Sequence, residues 1–291
     1  MEAKRMNSAT LQIKKRLKPA AVIQTIAAVA ITVIIAFPVY WIFVTALKGN
    51  EEMLVLYPTL WPANFHWENF PQVFERIPLL RYFWNTIFVT ACHVVIQVAV
   101  GLPAAYAFAR GQFKGRDIWF LVVLGAMMIP HQVTFLPLYC IIADLGWVDT
   151  YAGLILPGTV SAYFIFMMRQ NFRSVDQSYL DAGRVDGLGI LGTLWHILLP
   201  MCRSSVVTVT LVSFINGWNS YFWPKILCQS DRSRLLTVGL VRLKESWSDT
   251  SMYMHYNVIF AGLLLSILPV IILFFANQKH MMTGYSKAAM K

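Results

Sequence analysis

Six stretches of this chain contain no Asp, Glu, Lys or Arg and are long enough to cross about 30 Å of hydrocarbon, which takes a helix of roughly 20 residues. They are 19–47, 82–109, 118–143, 150–168, 204–224 and 250–278. Inside a bilayer every backbone N–H and C=O must find a partner within the protein, so only helices and closed barrels can span it. The runs lack the short alternation of polar and apolar residues that marks a barrel strand. The fold expected is therefore all-α, a polytopic membrane protein of six transmembrane helices. Composition agrees: 57% of the 291 residues are hydrophobic and 13% are charged, against about 25% charged in a soluble domain. A soluble enzyme and a disordered chain are both excluded on that ground.

The net charge of +10 would suggest nucleic acid in a soluble protein. Here it follows the membrane. Sixteen of the 24 Lys and Arg fall in 1–18, 110–117, 169–203 and 279–291, which lie on one side of a six-span chain, while nine of the 14 acidic residues fall on the other. The positive-inside bias places the first side, with both termini, in the cytoplasm. The first run is too long for the apolar core of a cleaved signal, and no small-residue cleavage site follows it, so it reads as a retained span. The organisation expected is a basic N-terminus at 1–18, a transmembrane domain at 19–278 with a cytoplasmic loop at 169–203 inside it, and a cytoplasmic tail at 279–291. Cys92, Cys140, Cys202 and Cys228 have neither metal-site nor CxxC spacing and read as unpaired small apolar residues.

Two loops are too long to be plain connectors. The outer one, 48–81, is rich in Trp, Tyr, Phe and Pro. The inner one, 169–203, carries Ser174 with Gln177 three residues later, a capping-box spacing that predicts a helix from near Val175. Gly187 and Gly189 are stop signals, and a second helix is expected from about Ile190 to Pro200. Tyr179, Ala182, Gly183 and Asp186 then share one face, with a small-residue notch beside the carboxylates of Asp181 and Asp186. Taken alone, such a helix could lie on the bilayer surface or admit the close approach of a partner.

Asp181-Ala182-Gly183, three residues, Gly187, nine residues and then Ile197-x-Leu199-Pro200 resembles the "E-A-A, three, G, nine, I-x-L-P" signature of binding-protein-dependent ABC importer permeases. Ala182-Gly183-Arg184-Val185-Asp186-Gly187 resembles the carbohydrate-uptake branch of that family, as do Gly217-Trp218-Asn219-Ser220-Tyr221-Phe222-Trp223-Pro224, Tyr151-Ala152-Gly153-Leu154 and Phe172. The likeness covers essentially the whole chain. It departs at Asp181, where the family has Glu, and at Gly183, where it has Ala. Glycine inside a helix costs roughly 1 kcal/mol relative to alanine.

The resemblance implies the type I ABC importer permease fold, in the manner of the shorter, tail-contributing membrane subunit of maltose-type systems. It implies that Tyr179, Asp181, Ala182, Gly183, Asp186 and Gly187 belong to a coupling helix that engages a cytoplasmic ATPase dimer. The chain has no G-x-x-x-x-G-K-[ST] phosphate cradle. It is expected to bind no cofactor itself, with ATP and Mg used by the partner. A second homologous permease and an extracytoplasmic solute-binding protein complete the implied set of partners. The tail 279–291 has two readings, a basic end near anionic lipid or, by the resemblance, a contribution to the ATPase interface.

Polar residues inside spans usually face protein or water. Thr86, Thr90, His93 and Gln97 form one stripe on the second span. His131 and Gln132 follow Pro130 in the third, where Pro130 and Pro137 should kink or break the helix. Ser213, Asn216, Trp218 and Asn219 lie in the fifth. One reading is a polar translocation path for a hydroxyl-rich solute. The other is interhelical hydrogen bonding together with an aromatic interfacial belt. Two other classes compete. An ion-coupled secondary transporter would normally carry intramembrane carboxylates or matched half-repeats, and no Asp or Glu lies in the six runs. A membrane enzyme would carry a motif such as H-E-x-x-H or G-x-S-x-G, and none occurs.

Overall fold

The computed structural model describes residues 19–247 and 255–289, and the side chains of 22–247 and 255–278 among them. The basic segment 1–18, positions 250–254 of the last apolar run, and residues 290 and 291 of the tail lie outside the described residues. All regular structure among the described residues is helical. Three helices are long and apolar enough to cross a membrane, and two bent pairs raise the number to five if each pair is one span.

The Pro19–Ala46 helix is apolar all round, and nearly all of its described surface up to Val39 is exposed. A helix without a polar face must be covered by lipid or by another chain. The Leu79–Arg110 helix has its charged residues only at its two ends. The Tyr256–Ala289 helix packs against the first helix and carries the chain through most of the tail without a break.

The apolar run 118–143 divides into Arg116–Met127 and His131–Asp144, set at 98° to each other. Pro130 sits at the break in extended conformation. It has no N–H to donate, and it disfavours helical geometry at Ile129 before it. Pro137 lies inside the second piece. The run 150–168 is also divided, which its uncharged composition did not indicate. A short helix, Tyr151–Ile155, is capped by the Thr150 hydroxyl, and a second, Ala162–Arg173, by the Ser161 hydroxyl. Between them stand Pro157 and Gly158, the latter at φ +86°, where a side chain would be strained. Ile190–Met201 and Arg203–Leu227 meet at 87°, so the chain turns sharply where the loop ends.

Packing in lipid gains little from apolar transfer and depends on close contact between side chains. Phe164, fully buried, lies over Gly101, where a Cβ would come within 2.5 Å of its ring. Phe172, Met168, Leu180, Leu194 and Leu198 continue this cluster, which joins the Leu79–Arg110 and Ala162–Arg173 helices to both helices of the loop. At the other end of the bundle Trp218 packs with Tyr82, Leu243, Trp247 and Val258. There the Asn69 amide donates to the carbonyls of Ala46 and Lys48, both at 2.9 Å, and Asn257 donates to Lys48 and to Asn69. These bonds tie the end of the first helix to the 48–81 loop and to the start of the last helix.

Candidate functional site

The loop folds as two short helices joined by a tight reversal. The first, Gln177–Val185, is capped by Asp176, whose carboxylate accepts from the Ser178 N–H at 2.8 Å. This corrects the expected Ser174–Gln177 box. The Ser174 hydroxyl is turned back to the Asn171 carbonyl of the preceding helix. Gln177 cannot reach back to Ser174, because Arg110 and Asp181 hold its amide. The hydrogen bonds from Ser178 keep the Asp176 carboxyl below the usual carboxylate range, so it is charged at the positive end of the helix dipole at neutral pH.

The reversal is a Schellman motif. Gly187 N–H donates to Arg184 C=O at 3.0 Å, and Leu188 N–H donates to Gly183 C=O at 2.9 Å. The motif needs a left-handed residue after the helix cap, and Gly187 takes φ +82°. No atom outside its neighbours lies within 4 Å of where its Cβ would be, so the requirement is one of backbone conformation. The second helix starts at Ile190 as expected and runs to Met201 with a π turn at Leu194–Leu198.

Between the two helices lies an open groove of about 400 Å³. Tyr179, Ala182, Gly183 and Asp186 line one wall, as their spacing predicts, and His196, Ile197, Pro200 and Met201 line the other. Asp181 stands on the flank, paired with Arg184 at 3.0 Å, and Gly187 makes the turn at the end. The six residues that the resemblance implies for a coupling helix are thus gathered in one place. The small-residue notch is different from the expectation, however. Gly183 is buried, and Ile197 of the same chain fills its side. Of the four residues on that face, only Tyr179, Ala182 and Asp186 are left exposed. Around them Val185 is 87% and Ile190 72% exposed, an apolar rim that water alone would not favour.

The path candidates occupy separate settings. Gln97 is buried and His93 half-buried, beside the Gly158 turn. Thr86 donates to Tyr82 C=O and accepts from the Leu236 N–H, so it fastens the 228–236 segment. His131 and Gln132 are exposed at the start of their helix. Ser213 is buried and donates to the Val209 carbonyl of its own helix. Asn216 and Asn219 are exposed. Trp218 is 3% exposed. Its indole N–H donates to Ser266 C=O at 3.2 Å, and its ring is edge-on to Phe83 and stacked on Phe214. It is a packing residue in this chain and presents no face for a sugar.

Residue patterns along the chain had not singled out Arg110, at the end of the Leu79–Arg110 helix. Its guanidinium donates to Phe172 C=O at 2.9 Å, to Arg173 C=O at 3.3 Å, to Val175 C=O, and to Gln177 Oε1 at 2.9 Å. Nor had they singled out Asp149, a non-glycine residue at φ +59°. Its carboxylate accepts from the backbone N–H groups of Gln229 and Ser230 and from the Ser233 hydroxyl.

The model of a family described as a binding-protein-dependent transport system inner membrane component matches residues 97–284. The chain is 31% identical, over 88% of its length and 84% of the relative's, to the probable ABC transporter permease protein YurM of Bacillus subtilis. It is 30% identical to the sn-glycerol-3-phosphate transport system permease protein UgpE of Brucella abortus, over 87% of this chain and 91% of that one. It is 28% identical to the arabinooligosaccharides transport system permease protein AraQ of Halalkalibacterium halodurans, over 92% and 95%. Among solved structures, a chain of a bacterial ABC transporter that imports the acidic polysaccharide alginate superposes with a TM-score of 0.78 at 24% identity, over 91% of this chain and 97% of that one. The chain therefore belongs to the binding-protein-dependent transport system inner membrane components, as a multi-pass permease subunit of an ABC importer whose ATPase activity lies in a separate subunit.

Proposed function

We propose that this permease passes a sugar, or a related polyol or sugar phosphate, into the cell, and that it is driven through the 174–200 loop. It works beside a second homologous permease, above a cytoplasmic ATPase dimer that uses ATP and Mg, and beneath a solute-binding protein that docks on the 48–81 and 225–249 loops. The solute class is supported by the relatives named for glycerol 3-phosphate and for arabinooligosaccharides. Six spans with both termini in the cytoplasm are supported by the charge distribution, and the alginate importer's chain carries the same fold.

The observation that carries the coupling role is the groove closed by the Gly187 turn. Tyr179, Ala182 and Asp186 stand on its open wall, Asp181 flanks them, and Gly183 lets the two short helices pack as one unit. A ligand moves an equilibrium only if it interacts differently with the two states. ATP can do that here only by way of a rigid protein contact, and a pair of interlocked helices at the membrane surface provides one. The path is assigned to the exposed members of the set, His131, Gln132, Asn216 and Asn219, while His93 is half-buried and Gln97 and Ser213 are buried within the bundle. Exposed amides and imidazoles in a span face a water path or a second subunit, because lipid would desolvate them without recompense. Trp218 supports that wall from behind.

The test is uptake by the complete importer in sealed vesicles. Labelled solute should enter only with ATP inside and the receptor outside, and Ala182→Trp should lower uptake while ATP hydrolysis persists. Uptake driven by an ion gradient without ATP would contradict the proposal.

A further inference from the structure

Each of two helices ends on an arginine of the other. Arg110, the last residue of Leu79–Arg110, holds the final carbonyls of Ala162–Arg173 through Phe172 at 2.9 Å and Arg173 at 3.3 Å, and the Val175 carbonyl just beyond. Arg169, one turn before the end of Ala162–Arg173, donates in return to Phe108 C=O in the last turn of Leu79–Arg110 at 3.1 Å. Helix ends leave such carbonyls unpaired, and a forked guanidinium can take several at once. Arg169 is 6% exposed, with its guanidinium 3.8 Å from the centre of the Phe120 ring and 4.0 Å from the Asp117 carboxylate. Arg110 also reaches past the helix ends: Nη1 donates to Gln177 Oε1, Gln177 donates to Asp181, and Arg184 donates to the same carboxylate oxygen.

We infer that Arg110 and Arg169 form a reciprocal clamp that makes Leu79–Arg110, Ala162–Arg173 and the Gln177–Val185 helix a single lever, with Arg110 the positioning residue that passes displacement of the loop into the membrane. The two ties lie side by side at the ends of both helices, with their bonds running in opposite directions. The ends therefore cannot slide past each other, and a further contact along the pair is what stops it pivoting. The packing beneath supports this, since Phe164 is seated on Gly101 and Phe172 and Leu180 share one cluster. The inference rests on the reading that the loop docks on the ATPase, and it adds which contacts carry the motion away from that dock.

The experiment uses the complete importer in vesicles, with a photo-crosslinking residue at Val185 to report the dock. It measures ATP hydrolysed per solute imported for Arg110→Lys, Arg110→Ala, Arg169→Lys and the double variant Arg110→Lys with Arg169→Lys. Lysine keeps the charge but cannot fork across several carbonyls, and it is the variant read if the alanine form fails to assemble. The clamp predicts that Arg110→Lys retains the crosslink and most of the hydrolysis while the ATP-to-solute ratio rises roughly fivefold or more. It also predicts that Arg110→Lys with Arg169→Lys is no worse than the stronger single change, because both break one device. A retained crosslink with an unchanged ratio overturns the clamp and leaves the dock standing. No crosslink to the ATPase even in the unsubstituted chain overturns the docking reading, and the lever with it.

Discussion

The Cδ1 atom of Ile197 occupies the space in which a side chain at Gly183 would lie. The two helices of the loop touch at that point, so the absence of a Cβ sets how closely they pack. Gly183→Leu should force them apart and lower loop-dependent uptake severalfold, since overpacking of a close contact costs about 1–3 kcal/mol. Gly183→Ala gains roughly 1 kcal/mol in helix propensity and loses by overlap. Adding Ile197→Val, which trims the methyl in the way, should recover uptake in the alanine variant. Transport assays on the four forms check this, and no recovery on trimming would remove the contact from the account.

At Gly187 the cost of a side chain is in the backbone alone. With φ at +82° and open space around it, substitution by alanine should cost about 1–2 kcal/mol through the left-handed conformation. Asn, which tolerates that region better, should keep more transport than Ala, and Val should keep least. Uptake rates ranked Gly, Asn, Ala, Val are the expected outcome. An order that follows side-chain volume alone would point to a steric role.

The apolar runs were legible because desolvation of a charge is the largest cost a membrane chain meets, and it leaves uninterrupted stretches in the sequence. Pro130 was legible as a break for an equally local reason. Pro157-Gly158 divides its run by the same chemistry, but uncharged composition alone does not register it. Asp176 displaced Ser174 as the cap because Ser174 still closes the preceding helix with helical backbone, whereas Asp176 has the extended backbone that an N-cap requires; where the preceding helix ends is not written in the spacing. The shared face of Tyr179, Ala182, Gly183 and Asp186 follows from helical period. Which part of that face turns inward depends on Ile197, fourteen residues on. Arg110 was beyond reach: its partners lie more than sixty residues away.

Asp149 makes a test by pH. Burial alone would push its carboxyl up, but hydrogen bonds from Ser230, Ser233 and the Gln229 and Ser230 backbone outweigh this and hold it at about 2. A depressed native value means that the carboxylate stabilises the native state fully above about pH 4, and that this contribution is lost as pH falls toward 2. About 1 kcal/mol is expected once solvent screening is allowed for. Thermal unfolding of the purified complex between pH 5 and pH 3, about one unit either side of the usual aspartate value, should lose less stability in Asp149→Asn than in the unsubstituted chain. Parallel losses would contradict the assignment.

Trp218 and Asn216, two residues apart, should behave oppositely. Trp218→Ala empties a buried site and frees the Ser266 carbonyl, and should lower stability by about 3–5 kcal/mol or prevent accumulation of the permease. Asn216→Ala, at an exposed position, should leave thermal stability within about 0.5 kcal/mol and alter uptake. Melting temperature and transport measured on the same preparations separate the two roles.

The most direct test of the loop as the contact with the motor is a crosslinking map of the assembled importer, with photoreactive residues placed in turn at Tyr179, Ala182, Asp186 and Met201 around the groove. Crosslinks from these positions to the ATPase subunit, with efficiency that changes when ATP is added, are the predicted result. Groove positions that label only lipid, or that are reached solely by reagents applied from outside the cell, would contradict it.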